Sequence, residues 1–364
     1  MNKTGINRKK VAKAVLFAAI FLILFYFAQR LLQAKWTGNS SSTTLWAEYV
    51  SLEKNTVDVF FVGTSHVYSG FDPMYIYENS GITSYTMSGG DLRFDLIYTI
   101  LLEALKTQSP QVIFLDMSSV QYSEQAKEPK IHLMLDQLPA SLAKLNFVLN
   151  SGNEKLTLLN GMIPFFRYHS RWEDLSAKDF QYMTGDMERT VTRGHFVSYK
   201  KTATGYRFYE EPEEELSEVT DYHRIPLQKI ASLCEENGID LILFKVPSPS
   251  WYLEESEASQ QLADELGLPY WELFYEVDEI GLDTETDFRD ANEHLNQYGA
   301  EKLSDYLMEY LDREYDLEDH RGSNERWDSD LPEYQQLADE RLETQMLIDA
   351  GLLEENEEEA SAEE

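Results

Sequence analysis

Three residues in two distant parts of the chain have the types that a covalent acyl-transfer reaction requires. Ser65 lies in "FFVGTSHVYSGFDP", and Asp290 and His294 lie in "RDANEHLNQYGAEK". A serine hydroxyl is a weak nucleophile near neutral pH, so it needs a base, and an acid must orient that base when it is a histidine. Ser65, His294 and Asp290 are therefore candidates for a Ser-His-acid site. The alternative is structural: Ser65 would cap a helix after a turn, and the other two would be ordinary loop residues.

The elements around these residues predict how they could meet. Five short apolar stretches have the composition of buried strands, namely "VDVFFVG", "ITSYTMSGG", "QVIFLDM", "IDLILFKVPSPSW" and "PYWELF". Amphipathic helices separate several of them, including one over 91–108 for which Asp91 is the expected N-cap. This alternation predicts an α/β fold, a flavodoxin-like three-layer sandwich with a five-stranded parallel sheet. Ser65 follows the first strand and His294 follows the fifth, so both are expected at the carboxyl edge, where ligands bind in open α/β sheets.

The ends of the chain differ from its centre. Residues 1–13 are basic, 14–34 are apolar, 35–44 form a polar linker, and 45–312 form the α/β domain, with a helical insertion over about 122–218. A basic flank before an apolar run predicts a single-pass membrane anchor with the C-terminal domain outside the cytoplasm. A cleaved signal peptide is the alternative, but the apolar run is long for one and no A-x-A site follows closely. Residues 313–364 are very acidic and predict a disordered or loosely helical solvated tail.

Composition excludes some classes of partner. The 364-residue chain has 65 acidic and 31 basic residues, a formal net charge of −34, which argues against nucleic acid binding. Cys234 is the only cysteine, so no disulfide can form within the chain and a cysteine-rich zinc site is excluded. His169 has no second histidine or cysteine at ligand spacing. The sequence therefore predicts no metal site and no cofactor.

Two other segments carry candidate pocket residues. His66 is a poor base for Ser65, because neighbouring side chains diverge, so it is expected either to line the pocket or to be structural. Arg171 and Trp172 in "YHSRW" form a cationic and aromatic cluster that could bind an anionic or sugar substrate. Packing of the insertion against the sheet is the alternative for this pair.

Taken together, "FVGTSHVYSGFDP" and "DANEHLNQYGAEKLSDYL" resemble the SGNH/GDSL-hydrolase superfamily. They are most similar to its membrane-anchored, extracytoplasmic branch, which includes the teichoic acid D-alanyl transfer protein DltD and the alginate O-acetylation proteins. The strand order and the "TMSGG" turn also fit that branch, and the resemblance covers most of residues 57–311.

The resemblance implies a role for each candidate residue. Ser65 would be the nucleophile that takes the acyl group, His294 the general base and then general acid, and Asp290 the orienting acid, with Asp287 as the other candidate. The N–H of Ser65 and that of Gly89 or Gly90 would stabilise the oxyanion.

The resemblance also implies a function and partners. The protein would be a serine esterase or acyltransferase that modifies a cell-envelope polysaccharide or teichoic-acid-like polymer through an acyl-serine intermediate. A membrane-bound O-acyltransferase would supply the acyl group. The competing hypothesis is an inactive envelope binding or assembly module on the same fold.

Overall fold

The computed structural model describes residues 8–33, 48–123, 125–183, 190–202 and 219–354. Five strands form the main sheet and two more form a small hairpin: β1 (Val59–Gly63), β2 (Ser84–Ser88), β3 (Val112–Asp116), β4 (Asp240–Lys245), β5 (Tyr270–Glu272), β6 (Phe288–Arg289) and β7 (His294–Leu295). The predicted linker over 35–44 and the end of the chain beyond 354 lie outside the described residues.

The described helices connect and cover these strands. In chain order they are α1 (Arg8–Leu32), α2 (Ser65–Gly70), α3 (Pro73–Ser80), α4 (Phe94–Ala104), α5 (Glu128–Leu135), α6 (Leu142–Asn150), α7 (Leu158–Met162), α8 (Phe165–Tyr168), α9 (Ala177–Met183), α10 (Asp221–Asn237), α11 (Leu253–Leu266), α12 (Val277–Ile280), α13 (Gln297–Glu314) and α14 (Glu325–Asp349). Short 3₁₀ turns cover Met117–Gln121, His169–Glu173 and Leu273–Glu276.

The main sheet is parallel throughout and has the strand order β2-β1-β3-β4-β5. This is the flavodoxin-like order, and it confirms the predicted α/β fold class. The two chain segments that carry the candidate residues follow β1 and β5, so both reach the carboxyl edge of the sheet.

Apolar side chains fill both faces of the sheet, as parallel strands require. Along β1, Phe60 and Val62 join one buried cluster, and Val59 and Phe61 join the other. The first cluster packs against α4, α10 and α11, while the second packs against α3 and α13. The strands are therefore fixed from both sides, which holds their carboxyl ends in a constant relative position.

α1 is long and apolar, with a mean hydropathy of 2.4 over its most apolar window. It is the one helix within the described ranges whose length and composition would allow it to cross a membrane, a test that signal sequences also pass. Its last turns contact the helical insertion that follows β3.

The helix that follows β2 begins later than predicted. Asp91 does not cap it: the N-cap is Arg93, and Asp91 has a φ of 62°. The Arg93 guanidinium donates to the Asp91 carbonyl oxygen at 2.8 Å and stacks on the Tyr122 ring at 3.4 Å. These contacts hold the Asp91 turn outside the helix.

The acidic segment after Asp312 is not a solvated tail over the described residues. α14 runs from Glu325 to Asp349, and its Trp327 and Tyr334 are buried in the same cluster as the sheet. Asp330 pairs with Arg193 at 2.8 Å, and Arg193 pairs with Glu48 at 2.5 Å. Two aromatic side chains and a buried ion-pair network therefore attach this helix to the α/β domain.

Candidate active site

The turn between β1 and α2 places Ser65 at the edge of the sheet. Gly63 has a φ of 157°, and a Cβ at this position would lie 2.4 Å from the Cβ of Asp116. Only glycine allows the chain to pass that close to the end of β3. Ser65 then becomes the first residue of α2, where backbone N–H groups have no intrahelical partner.

A strained loop brings His294 back toward Ser65. β6 and β7 pair antiparallel, with Arg289 opposite His294. Between them, Asp290, Ala291 and Asn292 all have left-handed backbone conformations, with φ of 54°, 57° and 74°. Such conformations cost non-glycine residues roughly 1–2 kcal/mol each. Strain of this kind concentrates at functional sites, where the surrounding contacts maintain it.

The two segments form a continuous hydrogen-bonded chain of three side chains. The Ser65 Oγ lies 2.8 Å from the His294 Nε2, and the His294 Nδ1 lies 3.1 Å from an Asp290 carboxylate oxygen. Because the carboxylate accepts from Nδ1, the proton of a neutral imidazole resides there. The Nε2 lone pair therefore faces the serine hydroxyl, as a general base requires.

The surroundings keep His294 neutral and Asp290 charged. Burial lowers the pKa of His294 to about 4; the hydrogen bond to Asp290 opposes this shift, and the charge of His66 adds to it. Burial alone would raise the pKa of Asp290, but the hydrogen bond with His294 and the charge of Arg289 outweigh it and lower that pKa. A neutral base beside an ionised acid is the resting state that proton abstraction from a serine needs.

Asp287 has different partners. Its carboxylate accepts from the Lys302 Nζ at 2.6 Å and from the Asp283 N–H at 2.8 Å, and it is almost fully buried. Of the two acids that the sequence left open, Asp290 is therefore the one that contacts His294.

The two glycines named as oxyanion donors differ in their backbone contacts. The Gly89 N–H donates to the Gly63 carbonyl oxygen at 3.2 Å, as a continuation of the β1–β2 pairing. The Gly89 N–H is therefore already hydrogen-bonded within the sheet, which favours Gly90 of the two glycines that the sequence offered. Gly90 has open space around it, since no atom lies within 4 Å of where its Cβ would be. The candidate donors are therefore the N–H groups of Ser65 and Gly90.

His66 belongs to a second histidine–acid pair beside the first. Its Nε2 lies 3.2 Å from a Glu293 carboxylate oxygen, and its ring centroid lies 5.1 Å from that of His294. The same Glu293 oxygen accepts from the hydroxyls of Ser248 at 2.9 Å and Ser250 at 2.5 Å. Burial alone would raise the pKa of Glu293, but His66, Ser250 and the charge of Lys245 lower it to about 2.

Sequence reasoning missed Glu293 and Asp116. Asp116 ends β3 and accepts from the Thr64 hydroxyl at 2.6 Å, the Thr64 N–H at 3.2 Å and the Ser118 hydroxyl at 2.9 Å. It therefore fixes the turn that presents Ser65. The sequence contained a signal for each. Asp116 is an acidic residue at the end of a buried strand, and Glu293 directly precedes His294.

Arg171 and Trp172 make their contacts elsewhere. They lie in the 3₁₀ turn His169–Glu173, which packs on α1 and α8. Arg171 donates to the Leu32 carbonyl oxygen at 2.8 Å and pairs with Asp179 at 3.2 Å, while Trp172 is exposed. Their described partners thus belong to α1 and the insertion, and not to the Ser65–His294–Asp290 chain.

No protein-family model and no curated protein matches this chain. Similar solved structures include GDSL-like lipases and acylhydrolases. A GDSL-like lipase from Bacteroides thetaiotaomicron VPI-5482 is 9% identical, with a TM-score of 0.33, and the match covers 76% of this chain and 99% of that one. A lipase/acylhydrolase from Enterococcus faecalis is 10% identical, with a TM-score of 0.35, over 72% of this chain and 99% of that one. Likenesses of this size carry no functional inference, which has to come from the side chains themselves.

Proposed function

We propose that the protein is a serine esterase or O-acyltransferase of the SGNH type. The observation that carries the proposal is the chain of contacts from Ser65 through His294 to Asp290, with distances of 2.8 Å and 3.1 Å. Both lie in the range for hydrogen bonds that transfer or hold a proton. The side chains of His294 and Asp290 are 14% and 22% exposed, so the site is open to a substrate.

In the first half of the reaction, Ser65 takes the acyl group. The Ser65 oxygen attacks the carbonyl carbon of an ester, and His294 Nε2 accepts the hydroxyl proton. Asp290 stabilises the imidazolium that forms. The N–H groups of Ser65 and Gly90 are the proposed donors to the negative oxygen of the tetrahedral intermediate. As the bond to the alcohol breaks, His294 returns the proton to the leaving oxygen, and the acyl group remains on Ser65.

In the second half, an oxygen nucleophile releases the acyl group. His294 removes the proton from a water molecule or an acceptor hydroxyl, whose oxygen attacks the acyl-serine carbonyl. Collapse of the second intermediate returns the proton to Ser65. Water as acceptor makes the protein an esterase, and a polymer hydroxyl makes it an acyltransferase.

The proposed location and partners follow from α1 and from the sequence resemblance. α1 would hold the domain on the outer side of the cytoplasmic membrane, because the basic residues at its N-terminal end favour the cytoplasmic side. The acceptor would be a cell-envelope polysaccharide or a teichoic-acid-like polymer, and a membrane-bound O-acyltransferase would supply the acyl group. Incubation of the acyl-enzyme with and without a polyol acceptor distinguishes ester formation from release of the free acid.

Labelling by a fluorophosphonate probe tests the nucleophile. We expect the wild-type protein to be labelled and Ser65→Ala and His294→Ala to lose labelling. Either substitution should lower acyl transfer by roughly 10⁴-fold, with the double variant little worse, because the members of such a site act as a unit.

Ser88→Ala is the matched control for this experiment. Ser88 is a buried serine at the same edge of the sheet, opposite Gly63 in the β1–β2 register. It should keep full labelling. Persistent labelling of Ser65→Ala would place the nucleophile elsewhere, and a wild-type protein without labelling or activity would favour the binding-module hypothesis.

A further inference from the structure

The helical insertion packs against the C-terminal end of α1. Three of its elements contact α1, namely α8, the 3₁₀ turn His169–Glu173 and α9. The Phe25 and Phe165 rings are 5.2 Å apart, and the Arg30 Nε donates to the Met183 carbonyl oxygen at 3.0 Å. Arg171 also donates to the Leu32 carbonyl oxygen. The insertion and the last turns of α1 therefore form one packed unit.

The depth of Phe25 follows from the length of the apolar run. The uncharged residues 14–29 are fewer than the about 20 residues that a bilayer core requires, so the span must extend at one end. A span over 14–33 places Phe25 about 12 Å below its outer end at a rise of about 1.5 Å per residue, and a span over 10–29 places it about 6 Å below. In either position, Phe165 contacts a residue that lies inside the hydrocarbon layer.

The same three elements expose large apolar side chains. Phe166 in α8 is 46% exposed, Trp172 in the 3₁₀ turn is 65% exposed, and Phe180 in α9 is 53% exposed. Exposed aromatic side chains beside a membrane-spanning helix are typical of residues at the membrane interface, where tryptophan is enriched. All three side chains lie in elements that contact α1, and exposed apolar side chains concentrated in one part of a fold are typical of an interaction surface.

We propose that α8, the turn His169–Glu173 and α9 form a second membrane contact, in which Phe166, Trp172 and Phe180 enter the outer leaflet beside α1. The inference rests on α1 spanning the bilayer, as in the proposed function, and is independent of the chemistry at Ser65. The contact would be mainly apolar, since Arg167 pairs with Glu128 and Arg171 with Asp179, and the acidic Glu173 and Asp174 follow Trp172. It would hold the α/β domain in a fixed orientation on the membrane.

Spin labels on the full-length protein in phosphatidylcholine nanodiscs test this surface. Cys234 is the only cysteine and is buried, so a Cys234→Ala background accepts single labels at chosen positions. Labels at Phe166→Cys and Trp172→Cys should be several-fold more accessible to oxygen, which partitions into lipid, than to a water-soluble nickel chelate. Ile225→Cys and Val50→Cys are controls with 48% and 62% exposure outside the insertion, and they should show the opposite preference.

A label in α1 distinguishes failure of the membrane anchor from failure of the second membrane contact. Leu22→Cys lies in α1, where Leu22 is 62% exposed, and reports whether the helix is inserted. If the Leu22 label were accessible to oxygen but the labels at Phe166 and Trp172 were accessible to nickel, the second membrane contact would be wrong and the anchor would be retained. A nickel-accessible label at Leu22 would overturn both the anchor and the contact. Neither outcome would affect labelling of Ser65 by a fluorophosphonate.

Discussion

In the proposed mechanism, the ionisation of His294 decides at which pH the reaction can proceed. A catalytic base must be neutral to accept the serine proton, and burial keeps the pKa of this imidazole well below its usual value near 6.5. Asp290 shares its carboxylate between His294 and Arg289, and these partners lower its pKa. Both shifts favour the neutral imidazole and the ionised carboxylate that the proposed mechanism requires.

This ionisation predicts an unusual acid limb in the pH profile. Since the folded-state pKa of His294 is about 4, kcat/KM should rise through pH 4 and be level at pH 6.5. The sign follows from protonation: below pH 4 the imidazole is cationic and cannot take the proton, and above it the neutral form predominates. Ester hydrolysis measured with short incubations from pH 3.5 to 8 checks this. A limb centred at pH 6.5 would contradict it.

A substitution of His66 should move that limb. The charge of the His66 imidazole, which pairs with Glu293, contributes to the low pKa of His294. His66→Gln removes this charge, so the pKa of His294 should increase and the acid limb of kcat/KM should shift to higher pH. Tyr68→Phe is the control, because its ring stacks 6.5 Å from that of His294 without carrying a charge. Equal profiles for both variants would show that His66 exerts no electrostatic effect on the base.

At the scale of elements, the position of Ser65 depends on how closely β1 approaches the end of β3. Asp116 accepts from both the N–H and the hydroxyl of Thr64, directly before the serine. Gly63 allows that approach because it has no side chain. The position of Ser65 is thus fixed by a strand end, a carboxylate and a glycine, rather than by the short helix that begins at Ser65.

Gly63→Ala should therefore disturb both stability and activity. The new Cβ would lie 2.4 Å from the Asp116 Cβ and 2.9 Å from the Val67 Cγ2, and overpacking of this kind costs roughly 1–3 kcal/mol. We expect a lower free energy of unfolding in urea and loss of acyl transfer as Ser65 is displaced. Gly90→Ala is the control for the free energy of unfolding, which it should leave unchanged because its Cβ meets no atom within 4 Å. Unchanged kinetics for Gly63→Ala would show that the turn tolerates the displacement.

The sequence was sufficient to predict the sheet and both segments of the candidate site. Strands such as Val59–Gly63 are short, apolar and followed by turn residues, so their identity depends on local composition alone. The contact of His294 with Ser65 was predictable because parallel strands share one carboxyl edge. The roles of these residues in catalysis stay predictions.

Asp290 is preferred over Asp287 from the sequence because it is nearer to His294, and the structure shows that contact, but proximity alone does not decide how carboxylates and amides are used. Asp287 and Asp290 are both near His294 in the chain, and the choice depends on the left-handed backbone at Asp290 and on Lys302, which pairs with Asp287. Likewise, Gly89 and Gly90 differ only in whether the β1–β2 pairing extends to them. Such differences arise from tertiary geometry and leave no local sequence signal.

At the scale of the whole molecule, composition alone did not indicate that α14 packs against the α/β domain. The high acidic content after Asp312 is typical of a solvated segment, but Trp327, Leu331, Tyr334 and Ala338 recur at helical spacing and pack on the core. That periodicity was the available signal. Tyr334 also donates to Asp72, the N-cap of α3, so α14 is connected to the helix that follows Ser65.

Truncation of Trp327 should therefore destabilise the entire domain. Trp327 is fully buried, with the Arg193 guanidinium 4.5 Å from its ring, and removal of a buried tryptophan costs about 3–5 kcal/mol. We expect Trp327→Ala to lower the free energy of unfolding by that amount, because a cavity forms and the Glu48–Arg193–Asp330 network loses its apolar cover. Met346→Ala, in the same helix but 63% exposed, should change it by less than about 0.5 kcal/mol. Urea unfolding of the full-length protein in detergent, followed by circular dichroism, measures both variants. If Trp327→Ala unfolded at the same urea concentration as Met346→Ala, α14 would be a solvated tail, as composition alone suggested.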